Sequence, residues 1–70
     1  MRATVLPKFA SAKTVADLFK FRNRVGLEIA IAALKDGLRE KRFPADELMR
    51  AADVDRVRRI VTPYVEGYFG

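Results

Sequence analysis

The sequence predicts an all-α fold: a small bundle of about four helices with an extended N-terminal arm. Three observations carry this. From residue 14 onward, apolar residues recur at the three- and four-residue spacing of helices with one buried face. Break signals divide that stretch at Gly26, at Phe43-Pro44 and near Ala52-Asp53. Residues 1–13 show no helical period, and Pro7 interrupts the brief apolar run Thr4-Val5-Leu6. The expected organisation is therefore an arm over 1–13 and one helical domain over 14–70.

The first helix is expected to start at Thr14, whose hydroxyl can cap it. Asp17 three residues on completes a capping box. At about 100° per residue, Val15, Leu18, Phe19, Phe21 and Val25 share one arc, and Lys13, Asp17, Lys20 and Arg24 the other side. Arg22 falls in the middle of the apolar arc. Either the helix ends before it, or its guanidinium finds a buried acceptor. Gly26 supplies the C-terminal stop, where a left-handed backbone is needed.

The second helix runs from about Leu27 to Lys41, with Leu27, Ile31, Leu34, Leu38 and Ala30 as its apolar stripe. Ile29 lies nearly opposite and, with Ala32 and Ala33, suggests the edge of a second contact face. Gly37 costs up to ~1 kcal/mol in a helix interior, but lets another group approach closely. Pro44 is placed as the first residue of a third helix ending at Ala52, with Asp46 and Glu47 suited to its dipole. A fourth helix begins near Asp53 or Asp55, whose carboxylates would cap it. Val54, Val57, Ile60, Val61, Tyr64, Val65 and Tyr68 then hold one arc to the C-terminus. Pro63 predicts a kink, or a restart capped by Thr62.

A chain of 70 residues makes one small domain. Its core supplies roughly 3–5 kcal/mol, so a partner is the obvious source of further stability. There is no cysteine and no histidine, which removes disulfides, thiolate metal sites and the usual catalytic bases and nucleophiles. Ser11 is the single serine, and Gly26, Gly37, Gly67 and Gly70 lie too far apart to form a phosphate loop. The chain reads as a non-enzyme with no cofactor and no metal. No apolar run reaches the ~20 residues of a membrane span, and no signal-peptide core is evident, so a soluble cytoplasmic protein is expected.

The net charge of +5 is polarised. Residues 1–26 carry six bases against Asp17 alone, whereas bases and acids cancel in 27–51 and again in 52–70. Such asymmetry suits an acidic partner. The block Phe19-Lys20-Phe21-Arg22-Asn23-Arg24 combines aromatics, cations and an amide, which makes it the candidate recognition element. For Arg22 the competing role is an intramolecular ion pair with Glu28 or another acid. A small basic nucleic-acid-binding transcriptional regulator is the alternative function. A helix–turn–helix can be drawn from the third and fourth helices, with Arg56, Arg58 and Arg59 leading the second, although Asp53 and Asp55 offset them. A protein-binding module is better supported. Phe19, Phe21, Phe43, Tyr64, Tyr68 and Phe69 are more aromatic surface than so small a core readily hides.

Thr14-Val15-Ala16-Asp17 and Phe21-Arg22-Asn23-Arg24-Val25-Gly26-Leu27 resemble the C-terminal domain of AbiEi-type antitoxins of abortive-infection toxin–antitoxin systems. The resemblance continues through Ile29-Ala30-Ile31-Ala32-Ala33-Leu34, Glu47-Leu48 and Val61 to Tyr64, covering roughly residues 11–66. It implies an antitoxin that binds and neutralises a cognate AbiEii-type nucleotidyltransferase toxin, an enzyme class that adds nucleotides to RNA, tRNA acceptor ends in particular. The family's usual N-terminal winged helix–turn–helix is not seen before the matching block, so a short form carrying the toxin-neutralising half is expected. The partner's pocket would hold metal-binding carboxylates, which the basic, aromatic block could occupy. Clamping the toxin elsewhere would serve equally.

Overall fold

The computed structural model describes residues 11–69, and these form five helices with no strand among them. They are α1 (Ala12–Lys20), α2 (Arg22–Val25), α3 (Leu27–Arg39), α4 (Ala45–Val54) and α5 (Arg58–Phe69). The fold is all-α, as the periodicity requires. Most of the expected arm lies outside the described residues. Its last three residues belong to α1: Ser11 is the N-cap, and Ala12 and Lys13 open the helix.

Thr14 is thus not the cap. The Ser11 hydroxyl accepts the Thr14 backbone N–H at 3.2 Å, doing three residues earlier what Thr14 was expected to do. Asp17 is then free for other partners. Its carboxylate accepts from Lys13 Nζ at 3.3 Å, one turn back.

Val15 and Phe19 point from α1 into the core, where both are fully buried. The apolar arc does not continue past them. α1 ends at Phe21, and the single turn of α2 follows on a different course. Gly26 ends α2 with φ +100°, as the stop signal requires, and its N–H donates to the Arg22 carbonyl at 2.8 Å. Phe21 and Val25, expected on the buried arc, are therefore exposed.

On α3, Ala30, Leu34 and Leu38 are buried and Ile31 half-buried, but Leu27 at the N-terminus is exposed. Ala33 joins the core, while Ile29 and Ala32 stay outside. Gly37 is buried because the Phe43 ring lies against it. A Cβ there would overlap the ring edge. This close approach seats Phe43 among Leu34, Leu38 and Leu48 in the shared core.

Two helices end alike. Lys41 and Arg56 adopt φ +57° and +60° one residue past the C-caps Glu40 and Asp55. In each case two backbone bonds close the end: Arg42 N–H to Gly37 and Lys41 N–H to Leu38 after α3, Val57 N–H to Ala52 and Arg56 N–H to Asp53 after α4. This is the Schellman pattern, made without glycine. It terminates α4 at Val54 rather than Ala52, so Asp53 belongs to α4 and Asp55 is its C-cap. Neither caps a following helix, and α5 begins only at Arg58.

Pro44 is the extended N-cap of α4 (ψ 157°) rather than its first residue, and Asp46 and Glu47 occupy the first turn as expected. Pro63 sits inside an unbroken α5. Thr62 does not cap a restart; its hydroxyl donates to the Arg58 carbonyl at 2.7 Å. Leu48 and Ala52 of α4 meet Val57, Val61 and Val65 in the core. Tyr64 covers Phe19, ring centroids 5.8 Å apart. Val54 (77% exposed) and Tyr68 fall outside, the latter packed edge-on to the exposed Phe69 at 5.1 Å.

Candidate functional site

The six residues singled out from the sequence straddle the break between α1 and α2, and they divide into two sets. Phe19 is completely buried and belongs to the core. Lys20, Phe21, Asn23 and Arg24 are exposed. The helix break makes this division. Phe21 leaves helical geometry at φ −104°, ψ 26°, which turns the chain before the arc can carry it inward.

Arg22 is half-buried and lies between the sets. Its Nη1 donates to the Phe19 carbonyl at 2.8 Å, one of the carbonyls freed by the end of α1. Both alternatives read from its position thus hold together: the helix ends before it, and its guanidinium finds an acceptor. That acceptor is a backbone oxygen, and no carboxylate pairs with Arg22 among the described residues. The contact pins α2 against the end of α1 and leaves the rest of the guanidinium's donors available.

Asn23 and Arg24 have no side-chain partner among the described residues. Lys20 Nζ lies 5.6 Å from the Phe21 ring centroid, a cation–π contact at the surface. Periodicity puts Phe21, Val25 and Leu27 beside them on buried arcs, yet Phe21 is 50% exposed, with Val25 and Leu27 at the margin, while Ile29, expected opposite the apolar stripe, is 47% exposed. Residues 21–29 therefore present apolar area, cations and an amide at one corner, which suits recognition of a surface both apolar and acidic.

Sequence reasoning missed a second cluster, at the junction of α1 with the α4–α5 turn. The Asp55 carboxyl lies within reach of that of Asp17, although the two are 38 residues apart in sequence. Asp55 Oδ2 is buried without a conventional donor. The Asp55 pKa is raised: hydrogen bonding toward Asp17 in its protonated form is the main cause, followed by burial and the repulsion of Asp17. Asp17 moves the other way. The bond from Asp55 lowers its pKa, burial opposes, and Lys13 and Lys20 lower it further. Both aspartates are accounted for by helix-end signals in the sequence, and nothing local announces their pairing.

Just beyond Asp55, Arg56, Arg58, Arg59, Ile60, Thr62 and Pro63 line an open groove of about 730 Å³. Arg58 Nη1 bonds Asp53 at 2.5 Å. No group of three or more acidic side chains among the described residues could hold a metal ion. No described helix is long and apolar enough to cross a membrane. No family model, curated protein or solved structure matches this chain.

Proposed function

We propose that this protein is an antitoxin that binds and neutralises a cognate nucleotidyltransferase toxin acting on RNA. The observation that carries the reading is the exposed corner at residues 21–29. A domain with so small a core leaves Phe21, Leu27 and Ile29 in solvent close in the chain to Lys20 and Arg24, neither of which forms an ion pair with a carboxylate of the described residues. Apolar area at the surface favours association, and cations outside ion pairs steer the corner toward an acidic partner. The carboxylates that bind metal in a nucleotidyltransferase pocket are such a partner. The resemblance of Phe21-Arg22-Asn23-Arg24-Val25-Gly26-Leu27 to AbiEi-type antitoxins falls on this same corner.

Each residue has a distinct role in this reading. Phe21 is the apolar anchor, Lys20 and Arg24 bring charge, and Asn23 offers a donor and an acceptor. Arg22 is a positioning residue, because its bond to the Phe19 carbonyl orients α2. Neutralisation follows whether the corner fills the toxin's pocket or clamps the enzyme in an unproductive arrangement.

The test is co-expression with the product of the neighbouring gene, which this reading expects to arrest growth. The wild-type chain should relieve growth arrest. Arg24→Glu combined with Phe21→Ser should fail to relieve it, while the far-UV spectrum and melting temperature of the purified variant stay close to those of the parent. Arg22→Lys keeps the charge but loses the planar fork, so it should lower both stability and neutralisation modestly. Relief of arrest by the double variant at wild-type strength would remove the corner from the mechanism.

A further inference from the structure

The groove at the start of α5 has no part in toxin neutralisation as read above, and its chemistry points elsewhere. Three arginines within four residues line it, and each is presented differently. Arg56 is held at φ +60° by the Schellman closure of α4, which sets its side chain at the turn. Arg58 is anchored by Asp53 at one guanidinium nitrogen, leaving its other donors uncommitted. Arg59 has no side-chain partner among the described residues. The first turn of α5 contains no acidic residue, and the backbone N–H groups that open a helix lack intrahelical acceptors. Ile60, Thr62 and Pro63 complete the lining, and no carboxylate lies among the lining residues.

We propose that this groove binds the phosphate backbone of a nucleic-acid strand. Arginine forks match phosphate oxygens in pairs, and helix-opening N–H groups supply further donors to the same oxygens. The groove is open rather than enclosed, so it fits a strand passing across it better than a free nucleotide, which needs walls around its base. α4, the turn 55–57 and α5 have the helix–turn–helix connectivity in which the second helix begins at the phosphates. The three arginines make backbone contacts here, so the binding is sequence-independent.

The test is fluorescence anisotropy with the full chain and a labelled 20-nucleotide RNA, and its DNA counterpart, at several salt concentrations. Arg56→Gly preserves the left-handed turn while removing the charge, and Arg59→Gln removes the second charge from an exposed position. The parent should bind either strand with affinity that falls steeply with salt. The double variant should lose about two contacts, seen as a slope of log K against log salt shallower by about 1.8 for duplex or about 1.4 for single strands. Its melting temperature should match the parent's, and it should still relieve toxin arrest. Loss of strand binding with toxin neutralisation intact separates this site from the corner at residues 21–29. Three results would overturn the proposal: no binding by the parent, an unchanged salt slope in the double variant, or competition by ATP, inorganic phosphate or polyglutamate as effective as by unlabelled RNA.

Discussion

Phe19 and Phe21 stand two residues apart and meet opposite fates. Phe19 is fully buried against Tyr64, at the meeting of α1 with α3, α4 and α5. Phe21 is half exposed at the corner where α1 gives way to α2. The same contrast separates two halves of the molecule. From Gly37 through Phe43 to Val65, small and large residues interlock into a closed core. From Phe21 to Ile29, residues of equal hydrophobicity remain outside. Large apolar side chains occur in both regions. What differs is whether another helix is there to cover the face, and at residues 21–29 none of the described helices does so.

The comparison is tested most strongly by truncating both rings. Phe19→Ala should cost about 3–5 kcal/mol, since it removes a fully buried ring and leaves a cavity. A domain this small should then be largely unfolded. Phe21→Ala should change stability by no more than about 0.5 kcal/mol. Urea melts followed by far-UV circular dichroism measure both. Equal losses would mean that the corner is also core, and that the apolar face at residues 21–29 is not a free surface.

A pair of glycines sharpens the same contrast at smaller scale. Gly37 sits beneath the Phe43 ring, whereas a Cβ at Gly67 would meet nothing within 4 Å. Gly37→Ala should destabilise by about 1–3 kcal/mol, because the ring must move. Gly67→Ala should stabilise by up to about 1 kcal/mol through helix propensity alone. Thermal melts of the two variants with matched buffers should move in opposite directions. If Gly37→Ala melts with the parent, Phe43 is loosely held and the closed half is less tightly packed than its burial indicates.

The smallest effect concerns the approach of Asp17 in α1 to Asp55 in the α4–α5 turn, and it depends on pH. Asp55 is raised and Asp17 lowered, so between those two steps the pair carries a single negative charge. A raised carboxyl contributes stability below its unfolded value, and loses it as pH climbs through the folded one. The lowered Asp17 contributes above its unfolded value and loses its share as pH falls. The bond is therefore strongest at mildly acid pH. Above the raised Asp55 step, two carboxylates face each other, with Lys13 and Lys20 as partial compensation. Asp55→Asn keeps a donor toward Asp17 at every pH. The variant should melt a few degrees above the parent at pH 7, and the difference should shrink toward about pH 4. Parallel melting profiles across that range would show that the two carboxyls do not share a proton.

The helices themselves were legible because their signals are local. Periodic apolar residues, Gly26, Pro44 and the acidic first turn of α4 each act within a few residues, and each is found at or next to its expected place. The starts of α1 and α5 were displaced by equally local competition. Ser11 outranks Thr14 as a cap, and Arg56 accepts a left-handed turn that sequence reasoning assigns to glycine. The candidate recognition block was legible in composition but not in which side chains it exposes. A helical arc records only that a face is apolar. The break at Phe21 and the course of α2 decided that Phe19 is core and Phe21 surface. The approach of Asp17 to Asp55 is a product of packing too, since α1 must reach the α4–α5 turn before either carboxyl meets the other. The sequence by itself determined the helices, their breaks and the excess of positive charge, because dihedral preference, capping and ionisation are properties of short segments. The tertiary structure alone decided which apolar faces are covered and which distant charges meet, because both depend on where a second helix lies.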